Sequence, residues 1–154
     1  MPLIIEVEDA RWRSLRGLAK KLALAHAASL NKRQAGQLVT LLLSDDKTLK
    51  TLNRQWRGKN KPTNVLSFPA AQTGTKPAVL GDIALSFETV AKEAAAAGKS
   101  RLDHATHLVV HGLLHLTGHD HEIEAEATRM ESKEIRILAK LGIANPYVLE
   151  DGHE

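Results

Sequence analysis

Residues 111–121 read HGLLHLTGHDH and place four of the chain's eight histidines in one short stretch. His111 and His115 are four apart, so on a helix they stand one above the other and can offer two imidazoles to one ion. A third histidine on the next turn would splay away, so the chain has to bend before it can add one. Gly118 is the residue type that stops a helix in a left-handed conformation, and past it His121 can swing back toward the pair. Three neutral imidazoles with a fourth position open is a catalytic zinc arrangement, because structural zinc is usually closed by four protein ligands. Those are often cysteines, and this chain has none. The competing reading is a buried or solvated histidine cluster without metal.

The neighbouring residues fit supporting roles. His107 lies four residues before His111, and His104 extends the stripe further. Both read as residues that pack beside the site or orient its ligands rather than ligate. Asp120 can orient an imidazole or shape the turn, and His119 reads as an exposed histidine or a proton shuttle. All-nitrogen ligation suits zinc, although nickel and copper bind the same imidazoles. The spacing of His111, His115, Gly118 and His121 coincides with the metzincin protease pattern H-E-x-x-H-x-x-G-x-x-H. Those proteases use the Glu after the first histidine as general base, and here that position is Gly112. A phosphodiester asks for a Lewis acid and a fixed cation instead. Metal-bound water has a pKa of about 7, so a dedicated base matters less.

Cations are concentrated in the first half. Residues 1–69 hold 13 Lys/Arg against 5 Asp/Glu, and residues 70–154 hold 8 against 13. Lys47, Lys50, Arg54, Arg57, Lys59 and Lys61 run together with no acid among them. Such asymmetry suggests a polyanion partner, and a solvated helix face is the plainer explanation. The absence of cysteine fits a reducing cytoplasm. No apolar run approaches the roughly 18 residues of a membrane span. MPLIIEVED lacks the basic and apolar regions of a secretory signal, so a cytoplasmic protein is expected.

Hydrophobic periodicity predicts strands at 3–7, 37–44, 64–69 and 80–86. It predicts helices at 12–28, 45–56, 87–97, 100–117 and 122–141. Ser44 or Asp45 should cap the second helix, and Gly98 should close the third. With no repeat or linker, residues 1–154 read as one α+β domain with four strands and about five helices. One of these is a metzincin-like helix that carries the histidines.

HGLLHLTGHDH resembles the signature H-G-x-L-H-L-x-G-[aromatic]-D-H of the YbeY family of bacterial ribosomal RNA maturation factors, described as single-strand-specific endoribonucleases. KPTNVLSFP (61–69) is similar to the family's K-P-T-D-V-L-S-F-P, and LGDIALS (80–86) to its L-G-D-I-x-I-S. The resemblance implies a small mixed sheet with helices on one side and the metal at the end of the histidine helix. It implies zinc on His111, His115 and His121, with His115 and Arg57 catalytic and Arg57 essential for RNA cleavage. A guanidinium fork also suits two phosphate oxygens, and Lys50, Arg54, Lys59 and Lys61 would hold the strand. The implied role is maturation of the 3′ end of small-subunit (16S) ribosomal RNA and ribosome quality control. The implied partners are that RNA, the small subunit, and a ribosomal protein or assembly GTPase. Two other functions stay open, a non-catalytic zinc-containing assembly factor and a metzincin-like peptidase. Asn64 stands where the family usually has Asp, and His119 where it usually has Tyr.

Overall fold

The structure, a computed structural model, describes residues 3–70, 79–118 and 124–147. Four strands form one mixed sheet: β1 (Leu3–Val7), β2 (Leu38–Ser44), β3 (Val65–Pro69) and β4 (Val79–Ser86), in the order β1-β2-β4-β3. β1, β2 and β4 run parallel, and β3 closes one edge antiparallel to β4. Six helices accompany them: α1 (Leu18–Ser29), α2 (Lys32–Ala35), α3 (Asp46–Arg57), α4 (Phe87–Ala97), α5 (Arg101–Leu116) and α6 (Glu124–Lys140). Among the described residues no helix is long and apolar enough to cross a membrane.

Side chains alternate across a strand, and the sheet has helices on both faces, one face covered throughout and the other only in part. Val39, Leu41, Leu43, Ile83 and Leu85 pack with Leu22 of α1 and Val109 and Leu113 of α5 in the main core. The opposite face meets α3, where Leu49 and Leu52 cover Leu42, Leu66, Ala84 and Phe68. The expectation of helices on one side is thus corrected, because α3 carries its own apolar stripe and needs a sheet face to bury it. α6 packs beyond α5 and α1 through Met130, Ile137 and Leu138, which join Ala25, Val110 and Leu114 in a second cluster.

The expected helix over 12–28 is two pieces. Ala10–Ser14 forms a 3-10 turn capped by Asp9, and the Trp12 indole donates to the Ser44 carbonyl at 2.8 Å. That bond pins the turn to the end of β2, and Gly17, at φ 77°, restarts the chain as α1. The short α2 was not expected, yet its signal is present: Asn31 and Gln34 form a reciprocal capping box. Asp45 caps α3 by accepting from the Thr48 N–H at 2.9 Å. Asp46 accepts from the Ser86 and Thr89 hydroxyls, which ties the start of α3 to the start of α4.

Candidate metal centre

α5 begins at a capped turn, where the Ser100 hydroxyl accepts from the Asp103 N–H at 3.0 Å. It ends two residues before Gly118, which takes φ 96°, a conformation easiest for glycine. One flank of the helix faces the sheet through Gly112 and Leu116. A Cβ at Gly112 would lie 3.1 Å from Ile83 Cδ1, so the absent side chain lets α5 sit close on β4. The position that bears the general base in metzincins thus points into the core here.

His111 and His115 each precede a sheet-facing residue, so they are turned about 100° from it. Their Nε2 atoms stand 3.0 Å apart. His111 Nδ1 lies 2.6 Å from Glu134 Oε2. A carboxylate accepts only, so the His111 proton belongs on Nδ1 and its Nε2 presents a lone pair toward His115. Two such lone pairs at this distance repel unless a proton or a cation lies between them. Neighbouring ligands on a tetrahedral zinc, with Zn–N bonds of 2.0–2.1 Å, stand about 3.3 Å apart, so the pair fits two corners of such a site. Among the described residues no group of three or more His, Cys, Asp or Glu is placed to hold a metal ion. The third expected ligand, His121, lies outside the described residues, as do His119 and Asp120.

Glu134 is the residue that sequence reading missed. It is fully buried on α6 and takes three partners. Besides His111, His107 Nε2 lies 3.0 Å from its Oε1, and the Tyr147 hydroxyl donates to the same oxygen at 2.5 Å. Burial pushes this carboxyl up, and the hydrogen bonds from His107, His111 and Tyr147 outweigh that, holding it at about 2. The Tyr147 hydroxyl is pushed well above its usual value by burial and by the carboxylate beside it. The clue in the sequence was a glutamate in the apolar stripe Met130, Ile137, Leu138. A carboxylate in that stripe needs buried donors.

His104 stands apart from the pair, with Nε2 2.8 Å from Glu93 Oε1. Asn64 Nδ2 donates to the same oxygen at 2.9 Å. An Asp at 64 would set two carboxylates against each other, so Asn64 is matched to Glu93 locally.

The basic residues gather elsewhere. Arg57 ends α3, and with Trp56 it lines a groove of about 950 Å³ on the α3 face of the sheet. Lys50, Arg54, Lys59 and Lys61 are exposed on α3 and the loop that follows, outside the groove lining. Buried Asn53 anchors that loop, donating to the Lys61 carbonyl at 2.9 Å. The imidazole pair does not line this groove. Arg57 and the histidines therefore sit on α-helices that cover opposite faces of the sheet. What connects them is the β3–β4 end: Pro69, Ala70, Val79 and Gly81 line the groove, and Leu116, next to His115, packs over Gly81.

Fold and site together define a mixed-sheet α+β domain with a carboxylate-backed imidazole pair at a helix end and, across the sheet, a groove lined by Arg57 with further exposed cations on α3 and the loop after it. The family model described as endoribonuclease YbeY matches residues 5–142. The chain is 46% identical to the endoribonuclease YbeY of Ruegeria sp. (strain TM1040), over 99% of each chain. It is 48% identical to that of Erythrobacter litoralis (strain HTCC2594), over 96% of this chain and 98% of the relative. The solution structure of TM1509 from Thermotoga maritima superposes with a TM-score of 0.62 at 26% identity, over 90% of this chain and 88% of that one. The chain belongs to the endoribonuclease YbeY family. By class it is an endoribonuclease, a hydrolase of ester bonds, as the resemblance implied.

Proposed function

We propose that the chain, acting as a single domain over residues 1–154, is a zinc-dependent, single-strand-specific endoribonuclease of the cytoplasm. Its substrate is small-subunit ribosomal RNA near the 3′ end, and it acts in ribosome maturation and quality control. The observation that carries the metal is the His111 and His115 Nε2 separation of 3.0 Å, with Glu134 behind His111. His111, His115 and His121 would hold one zinc ion, which supplies a Lewis acid for a phosphodiester oxygen. Glu134 keeps the His111 proton on Nδ1 and, with His107, holds the ring orientation. The exposed Arg57 grips two phosphate oxygens as a planar fork. Lys50, Arg54, Lys59 and Lys61 follow the backbone. The strand has to pass round the β3–β4 end of the sheet, from the Arg57 groove to the histidine flank. Protein partners, a ribosomal protein or an assembly GTPase, rest on family likeness alone.

One observation favours a second reading. The Glu134, His111, His107 and Tyr147 network joins α5, α6 and the segment after it, so a zinc ion here could serve only to fasten helices in an assembly factor.

Cleavage of a structured small-subunit RNA fragment by wild type, Arg57→Ala and His115→Ala decides between the two. Loss of cutting in both variants, with Arg57→Ala keeping its metal and its melting temperature, supports the nuclease. Unchanged ribosomal RNA processing in cells by a folded His115→Ala protein supports the assembly factor.

A further inference from the structure

Trp56 is the most exposed large hydrophobic side chain among the described residues, at 69%. It precedes Arg57, and nothing in the RNA-cutting role described so far uses it. Phe68 packs against its ring in an edge arrangement, with centroids 6.1 Å apart and planes at 60°. Both rings line the groove on the α3 face, over an apolar floor of Leu42, Leu52 and Ala84. Two carboxylates, Glu6 and Asp82, also line it, and both are exposed. The cations Lys50, Arg54, Lys59 and Lys61 stand outside.

This division of charge selects which part of a nucleotide can enter. Among the described lining residues a phosphate would face Glu6 and Asp82 across an apolar floor with Arg57 as its one cation, whereas Lys50, Arg54, Lys59 and Lys61 offer it cations outside. A base brings a flat apolar face for Trp56, and its exocyclic amines can donate to carboxylates. Bases are available in this way only in an unstacked single strand.

We propose that the Trp56–Phe68 groove is a nucleobase subsite, in which an unpaired base of the RNA stacks on Trp56 while its flanking phosphates stay on the Arg57–Lys61 rim. The inference rests on the RNA-cutting reading, and it explains how this chain would tell a single strand from a duplex. Glu6 and Asp82 then favour bases that carry amino groups.

The chain reports on this subsite directly. It has two tryptophans, and Trp12 is 1% exposed, so quenching of emission by a large ligand reports Trp56. The probe is a short 2′-O-methyl single strand, which resists cleavage, compared with the same strand made abasic. The expected result is quenching by the base-bearing strand only, and affinity for it about fivefold or more above that for the abasic strand. Trp56→Ala should bring the two affinities together with the salt slope unchanged, and Trp56→Phe should restore most of the difference.

Equal quenching and equal affinity for both strands would overturn the subsite. So would a Trp56→Ala protein that binds the base-bearing strand as wild type does. If the wild type still cuts RNA in that case, the nuclease reading survives the loss of the subsite. If neither strand binds and no RNA is cut, both fail, and a groove built for a protein partner would give that result.

Discussion

Glu134 holds His111 by Nδ1 at 2.6 Å while exposing no surface of its own. A carboxylate placed so does two things for an imidazole. It fixes which nitrogen carries the proton, and it raises the basicity of the other. The remaining Glu134 oxygen takes His107 and Tyr147, so the orienting group is itself held from two more sides.

Glu134→Gln should therefore weaken metal binding by about ten- to a hundredfold, because the amide lacks the charge and presents a donor to one of its former donors. Competition with a chromophoric chelator measures this without any reaction. Unchanged affinity would show that the carboxylate only fills space.

His26 sets a pH dependence away from the site. It is 7% exposed on α1, and its Nε2 has no hydrogen-bond partner among the described residues. Burial lowers its pKa below 6.5. The unfolded chain thus takes up a proton that the folded chain resists. The stability linked to His26 is intact above 6.5 and falls as pH drops below it. In His26→Leu the melting temperature should decline less steeply over that range. An identical decline would place the acid sensitivity elsewhere.

Gly112→Glu would restore the metzincin residue, and it should unfold the protein rather than create a peptidase. The new side chain would start 3.1–3.3 Å from Ile83 and carry a carboxylate into the core. An uncompensated buried charge costs roughly 3–5 kcal/mol, more than the gain of about 1 kcal/mol from removing a helical glycine. Urea titration gives the loss directly. A stable variant with metal-dependent peptidase activity would contradict this placement of Gly112.

Asn53→Ala should loosen the basic loop without touching the imidazoles. It removes the donor to the Lys61 carbonyl, for a stability loss of about 1 kcal/mol. RNA should bind more weakly, and the metal content should stay that of wild type. A drop in metal content would mean that the groove and the histidine flank are coupled more tightly than their positions on opposite faces suggest.

The parts of the fold that were legible in the sequence are those governed by local period and spacing. The four strands, the cap at Asp45 and the stop at Gly118 needed only neighbours in the chain. The i,i+4 spacing of His111 and His115 likewise foretold two imidazoles on one flank. Glu134 was hidden because its partners come from another helix and from Tyr147, and because a glutamate in a charged helix reads as solvated. The break before Leu18 was hidden for a related reason. Trp12 looks like the first apolar residue of a helix until its indole is seen to bond the end of β2. The side of the sheet taken by α3 depends on strand order, which no local pattern carries.

The most direct test titrates zinc into chelator-stripped protein and follows the cutting of a single-stranded ribosomal RNA fragment against bound metal. The expected result is no cutting in the stripped protein and a rate that rises in proportion to occupancy, levelling at one ion per chain. Full-rate cutting by the stripped protein would contradict the imidazole pair as the seat of the chemistry.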